Sequence, residues 1–535
     1  MSLTRPALTP LLLLATLVAS ETCVYAQSPQ PAPTAAAPTI HVYSRETIID
    51  VLATDDKGQP VTGLTRDDFT IEEDGKPQSI RSFYEVGKTA PPAPARPLPP
   101  NTYTNAQSLP AKGPVEVFLV QRPVVDLAPP PGFFVPAAML DYLRSMTLGT
   151  EVAIFSYCSV TGLELVQGFT TDGNAAAAAA ARIQPIVGKD YRGPSEKIFH
   201  IAAMEQLAAY VAGIHGRKNL IWMQGFIPMM IDRDGGYEWS GLTGGKVPPP
   251  PDMSIVHRLV DLYEIFSREQ IAIYPVDPNG IHALGLGTLM TQEIADQTGG
   301  TYDNTNDIKG EIAAIVARSS DLYTLSFVPT RPGEDSHFHT IKIVCRRSGV
   351  NLTYRTGYDD DTPRPPDGML KADLPQGPMR LGALPTTQLL FDLEVEPTPP
   401  SSSDAYAAAE AAMKPANNSD TKKLEKSLKG APYDVIFRFD PTQIGFSEGP
   451  DGKRTASLEF DLGAYDLYSN LIVARSQTIK LVLTPPEYDE FMKTPFRFYL
   501  PIPLPSGQLK LHAGLFDTVA NTSGTVELPL AVPKK

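Results

Sequence analysis

The sequence has no apolar run long enough to span a bilayer. Its longest early run, Leu11 to Val18, falls well short of the ~20 residues that a spanning helix needs. Arg5 precedes that run and Val24-Tyr25-Ala26 follows it, so it reads as an export signal cleaved before Gln27 rather than an anchor. Ser20-Glu21-Thr22, ahead of Cys23, lacks the small apolar residues of a lipidation site. Basic charge is also short: 46 Lys and Arg stand against 60 Asp and Glu, a net charge of -14. With no basic stripe to displace counterions, a grip on DNA or RNA through phosphates is excluded. The same acidity argues against an anionic membrane surface.

Cysteine is scarce, with 3 in 535 residues. After signal removal Cys158 and Cys345 remain, each in an apolar strand-like run. An exported protein can oxidise such a pair, but buried free thiols are the favoured reading. Signatures of catalysis are missing too. There is no Gly-x-Ser-x-Gly, no His-Glu-x-x-His and no phosphate loop, and Gly244-Gly245-Lys246 lacks the required spacing. His200 and His215 lie far apart on one helical stretch and read as solvated or core residues. The chain is expected not to be an enzyme.

What is abundant is proline. The 53 prolines are about twice the usual share, and their clusters mark linkers. They divide the chain into a signal at 1–26, a disordered leader at 27–39 and a small β module at 40–88. A Pro-rich linker at 89–112, an α/β domain with a β extension at 113–358 and a second linker at 359–377 follow. A β-sandwich at 378–535 carries a mobile insert at 401–428.

In the first module Phe69 and Ile71 alternate with polar residues, and Asp74-Gly75 is a hairpin turn. From Val115 the period changes. Val115–Val120, Val152–Tyr157, Leu163–Phe169, Asn219–Met223 and Ile271–Val276 read as strands, and Thr301-Tyr302 starts a short last one. Between them Phe134–Met146, the alanine run 175–181, Ser195–Ile214, Ile255–Phe266, Leu289–Thr298 and Ile308–Ala317 read as helices. Such alternation predicts a mostly parallel sheet covered on both faces, a doubly wound, Rossmann-like domain. Strands at Leu322–Phe327, Phe338–Val344 and Val350–Thr356 are expected to extend that sheet or pack on its edge. The regular strands after 378, from Met379–Glu396 onward, predict an immunoglobulin-like sandwich.

The segment 48–86, IIDVLATDDKGQPVTGLTRDDFTIEEDGKPQSIRSFYEV, resembles the N-terminal module of exported bacterial proteins grouped as the VWFA-related Acidobacterial domain family. The resemblance continues in 149–172, in GRKNLIWMQGF at 216–226, in IAIYPVDPNGI at 271–281, in 294–330 and in the tail at 504–532. It covers nearly the whole mature chain and implies a von Willebrand factor A-like domain, flanking β modules and export to the periplasm or beyond. It implies no general activity.

Metal-binding A domains place Asp-x-Ser-x-Ser after the first strand, with a Thr and a second Asp from later loops. These oxygens hold a hard divalent cation. In this chain Gln121 stands at the first Asp, Pro123 and Val125 replace the serines, and Gln224 stands at the second Asp. Thr170 or Thr171 offers a hydroxyl, and Arg122 adds a positive charge. Asp126 is a shifted acid, but Ala128 and Pro130 follow it where serines are needed. The magnesium or manganese site is therefore expected to be lost, with no cofactor. Asp277 follows the fifth strand, where ligands of open α/β sheets bind, but capping of the Pro278-Asn279-Gly280 turn is the favoured reading.

The loop from Ile231 to Pro250 holds Tyr237, Trp239, several glycines and three consecutive prolines. It is either a partner-binding surface with aromatic anchors or an inert insert. The expectation is an exported, non-catalytic interaction or scaffolding protein. Its partner would be a protein or cell-envelope component. A metal-dependent adhesin and, less favoured, an exported hydrolase are the alternatives.

Overall fold

In the first described stretch, Ile49, Val51 and Ala53 of β1 (Thr47–Thr54) are buried together. β2 (Phe69–Glu73) alternates buried and half-buried residues, as a half-covered strand does. Asp74 and Gly75 both take positive φ and turn the chain into β3 (Lys76–Gln78), before β4 (Ser82–Val86). The computed structural model describes residues 47–86, 98–106, 109–110, 114–122, 124–125, 137–147, 149–158, 161–187, 195–223, 261–263, 265–278, 280–281, 286–319, 321–329, 338–359, 379, 381–399, 430–449 and 451–534. The segments expected as signal (1–26) and leader (27–39), most of both expected linkers, the insert at 401–428 and the loop at 231–250 lie outside them.

β5 (Thr102–Thr104) falls within the expected linker and is followed by the central domain. There β6 (Val115–Gln121), β7 (Val124–Val125), β8 (Val152–Cys158), β9 (Gly162–Thr170), β10 (Ile186–Val187), β11 (Lys218–Met223) and β12 (Ile271–Val276) alternate with helices. These are α1 (Ala137–Ser145), α2 (Gly173–Ala180), α3 (Ser195–Val211), helical residues 261–263 and 265–268, α4 (Leu286–Thr298) and α5 (Ile308–Ser319). The main sheet runs β12-β11-β6-β8-β9, with only β9 antiparallel.

Successive residues of a strand face opposite sides, so each apolar strand feeds two cores. Val117, Leu119, Phe155, Leu220 and Ile273 pack with Ile201, Leu207, Phe266 and Ile294. Phe118, Val120, Ile154, Ile221 and Tyr274 pack with Leu143, Ala177, Ile312 and Ile315 on the other face. Full burial of each large apolar side chain contributes about 1.5–3 kcal/mol. In α2 the alanine run favours helix, and the Asp172 carboxylate caps it by accepting the Asn174 and Ala175 N–H groups. The expected strand at Thr301-Tyr302 is absent: 301–305 is irregular, leaving β12 at the edge.

The next strands overturn an expectation. β13 (Leu322–Phe327), β14 (Phe338–Cys345), β15 (Asn351–Thr353) and β16 (Gly357–Asp359) do not extend the central sheet. They form two four-stranded sheets, β15-β1-β13-β4 and β16-β14-β2-β3, with the N-terminal strands. The two sheets share one core of Ile49, Val51, Phe69, Ile71, Leu325, Phe327 and Ile343. The fifty-residue module predicted from the sequence is thus half of a sandwich, because β1 and β2 alone leave their apolar faces and ladder groups unpaired.

The C-terminal strands are β17 (Phe391–Pro397), β18 (Ala431–Phe439), β19 (Ser447–Glu448), β20 (Arg454–Tyr465), β21 (Leu471–Leu483), β22 (Phe496–Leu504), β23 (Gly507–Asp517) and β24 (Thr522–Val532). The short helix α6 (Pro485–Phe491) joins β21 to β22. One sheet runs β22-β18-β17-β5, and the other β19-β20-β23-β24 with β21 on β20. Their inner faces share a core that includes Phe437, Phe460, Leu500 and Leu511. The strand expected over Met379–Glu396 begins only at Phe391. Part of the preceding segment binds the central domain instead. Thr387, fully buried, donates its N–H to the Ala209 carbonyl (2.7 Å) and its hydroxyl to that of Tyr210 (2.8 Å), and accepts the Gly213 N–H (2.8 Å). It supplies α3 with partners for carbonyls that a helix end leaves open.

Neither Cys158 nor Cys345 is in a disulfide; Cys158 is buried, but Cys345 is only half-buried, short of the burial expected for it.

Candidate interaction rim of the central sheet

The parallel strands β6, β8, β11 and β12 end along one rim, at Gln121, Cys158, Met223 and Val276. This is where open α/β sheets place their ligands. Gln121 pairs with Tyr157 and is half-buried. Beyond it Arg122 donates its N–H to the Tyr157 carbonyl at 2.7 Å. Its guanidinium Nε donates to the Gln184 carbonyl at 2.8 Å, and Nη1 reaches the Glu164 carboxylate at 2.6 Å. The Arg122 side chain is only 14% exposed, so this ion pair is shielded on its cationic side.

Two residues on, the chain is extended. Val124 and Val125 form β7 and pair in parallel with Ile186 and Val187 of β10. A cation site here would need a loop that curls so that successive side-chain oxygens converge. An extended segment instead throws alternate side chains to opposite faces. Along it the described side chains are the Gln121 amide, a guanidinium held in an ion pair and two valines, and of these only the amide carries a ligand oxygen. These residues do not fit a divalent cation. Pro123, Asp126 and Gln224 lie outside the described residues, as do Tyr237 and Trp239.

Thr171 is not at this rim. β9 runs antiparallel to β8, so Thr170 pairs with Val152, while Gln121 pairs with Tyr157 at the other end of β8. Five residues of strand separate the two levels, roughly 17 Å at ~3.3 Å per residue. The Thr170 hydroxyl accepts the Asp172 N–H at 3.0 Å, next to the cap of α2. Its partners are those of a helix entry. The sequence offered Thr170 or Thr171 as the hydroxyl from a later loop, and the antiparallel direction of β9 carries both to the other end of β8.

Asp277 does follow β12 at the rim. The Gly280 N–H donates to the Asp277 carbonyl at 3.2 Å, closing the turn, and Gly280 has φ +86. The Ile281 N–H donates to Asn306 Oδ1 at 2.9 Å. Burial, and then the Asp277 charge, raise the Tyr302 hydroxyl above its ordinary pKa. Close by, Arg318 lies 3.2 Å from Glu311 and 3.6 Å from Asp303. Burial, followed by the charge of Asp303, pushes the Glu311 carboxyl up to about 7 against the pull of Arg318. Sequence reading passed over these three residues, because only the return of segment 301–307 onto α5 joins them.

At the opposite end of the sheet a second polar centre also went unread. Arg217 is buried and donates to Tyr274 Oη (2.9 Å), Asn219 Oδ1 (3.1 Å) and the Gly299 carbonyl (2.6 Å), with Asp50 of β1 at 3.8 Å. Asn219 in turn donates to Glu116. Burial opposes the Arg217 charge, yet Tyr274, Asp50 and Glu116 together hold its pKa above the usual arginine range. The visible signal was three polar residues, Arg217-Lys218-Asn219, heading an otherwise apolar strand. His215, past the end of α3, is exposed; the His200 side chain is outside the described residues.

No protein family matches the chain, and no curated relative matches it either. Solved structures give remote likenesses. An aerotolerance-related membrane protein from Bacteroides fragilis NCTC 9343 is 16% identical, covering 38% of this chain and 98% of its own, at a TM-score of 0.23. BatB from Bacteroides thetaiotaomicron is 16% identical over 38% of this chain and 99% of its own, at 0.22. The ArnB paralog VWA2 from Sulfolobus acidocaldarius is 8% identical over 91% of this chain and 75% of its own, at 0.22. At those scores the likenesses carry no argument, and the chain is described by its own topology, a mixed α/β protein of several sheets.

Proposed function

We propose that this chain is an exported, non-catalytic interaction protein, built on a von Willebrand factor A-like domain that holds its partner without a cation. The flanking sandwiches, the C-terminal one read as immunoglobulin-like, serve as scaffolding. The observation that carries this reading is the rim itself. Where a cation-binding domain curls a loop of acids and hydroxyls, this chain runs Val124-Val125 as a strand paired to Ile186-Val187 and ties Arg122 to Glu164. Among the described residues a cation has too few oxygens there to replace its water, so capture falls to ordinary contacts, in which aromatic anchors contribute most. A metal-dependent adhesin would need other carboxylates at this rim.

The test is capture of partners from bacterial envelope extracts by the mature chain, with and without residues 232–250. Deletion is expected to weaken capture at least ~10-fold, about 1.4 kcal/mol, and to leave the melting temperature almost unchanged. Unaltered capture removes the loop from the proposal. Micromolar binding of magnesium or manganese by calorimetry would overturn the cation-free reading.

A further inference from the structure

We propose that Asp303, Glu311 and Arg318 form a pH-responsive latch that holds the Asp277–Ile281 turn at the rim of the central sheet. Glu311 and Arg318 lie seven residues apart on α5, hence on one face. Arg318 Nη2 is 3.2 Å from Glu311 Oε1, 3.6 Å from Asp303 Oδ2 and 3.4 Å from Thr301 Oγ1. A single guanidinium therefore serves two carboxyl groups, and the charge of Asp303 beside Glu311 favours a proton on Glu311. A protonated carboxyl can donate to its neighbour, which two carboxylates cannot do. With that proton the trio is neutral; without it, two carboxylates face one cation and repel.

The two acids are unequally free to respond. Glu311 is fixed on the helix, with its side chain 10% exposed, whereas Asp303 is on an irregular segment and 51% exposed. Strain from deprotonation therefore falls on the Asp303 side. The far end of that segment is pinned, since the Asp307 carboxylate accepts the Gly310 N–H at 2.9 Å. Between the two anchors Asn306 accepts the Ile281 N–H, and the Gly280 backbone packs against the same side chain so closely that an added Cβ would collide with it. Release at Asp303 thus reaches the rim turn through three residues of chain.

Other charged groups on the elements against α5 are engaged. Asp141 pairs with Arg144 on α1, and Asp50 of β1 with Arg217 of β11. Lys218 of β11 donates to the Glu269 carbonyl, and Asp277 after β12 faces Tyr302. Burial and the neighbouring acid put the Glu311 proton in the neutral range, where a modest change of pH removes it.

As control over partner capture the latch rests on the function proposed above; as movement of the turn it does not, and hydrogen exchange reads that movement alone. The experiment follows amide protection of peptides spanning 277–306 in the full mature chain, corrected for intrinsic exchange. Protection is expected to fall about tenfold as pH rises from ~6 to ~8, while peptides from β20 and β23 hold constant. Glu311→Gln, which keeps the shape without the proton equilibrium, is expected to give a flat profile. Asp303→Asn removes the like charge, and with it the repulsion that opens the latch, so it too is expected to give a flat profile. A flat wild-type profile, an equal fall in Glu311→Gln, or a matching fall in β20 and β23 would overturn the latch.

Discussion

At the residue scale, buried polar groups set where the molecule is brittle. Thr387 is fully buried, and its backbone and hydroxyl make three short hydrogen bonds to the end of α3. Replacing it by valine keeps the volume and strands the Tyr210 carbonyl and the Gly213 N–H. Thr387→Val is expected to cost about 2 kcal/mol in denaturant unfolding, from buried groups left unpaired. Lys218 gives a pH signature. Burial pushes its ammonium down to about 8 from an ordinary 10.5, although Glu269 and Asp50 oppose the shift. The folded chain therefore releases this proton before the unfolded chain does. Its contribution is absent below pH 8 and grows as pH climbs toward 10.5. Lys218→Met is expected to remove that rise, measured as the difference in unfolding free energy between the two variants across that range. A wild-type slope retained in Lys218→Met would refute it. None of these residues stood out in the sequence. A threonine in a proline-flanked connector and a lysine opening an apolar strand carry no periodic signal, and their partners lie far away along the chain.

At the element scale most of the described strands and helices of the central domain were legible, because continuous apolar runs and the 3.6-residue period survive in any context. The alanine run predicted α2, and Asp172 at its entry is a standard cap. Directions of strands were not legible. The antiparallel run of β9, which carries Thr171 away from the rim, follows from a hairpin with β8. Nor does residue identity alone show that β7 and β10 pair, since two-residue strands leave no pattern. This pairing makes a prediction about restoration. Gln121→Asp, Pro123→Ser and Val125→Ser together supply the missing Asp-x-Ser-x-Ser but leave Ile186 and Val187 paired to the segment. The triple variant is expected to show no magnesium binding tighter than millimolar by calorimetry, about 4 kcal/mol. Micromolar affinity would mean that composition, and not backbone path, had abolished the site.

At the scale of the whole molecule the chain is interleaved. β1–β4 close a sandwich with β13–β16, and β5 joins β17 in the C-terminal sandwich, with the central domain encoded between these partners. Proline clusters marked composition boundaries, but long-range pairing set the bodies. A linker by composition therefore contains a strand, and an apparent extension completes the first module. A chain ending at residue 320 is expected to leave 47–86 unfolded while the central domain keeps its helices. Proteolysis of that segment with helical circular dichroism retained is the measurement. Protection of 47–86 in the truncated chain would contradict the pairing of β1 with β13.

That interleaving changes what a cut means. A protease acting between residues 86 and 98 severs the covalent thread, yet β1 and β4 stay laced to β13, and β2 to β14. The nicked molecule is expected to migrate as one particle on a sizing column and to come apart only in denaturant. During synthesis the same lacing works in reverse. The opening strands must wait, unfinished, until Leu322–Phe327 has left the ribosome and can complete their sheet.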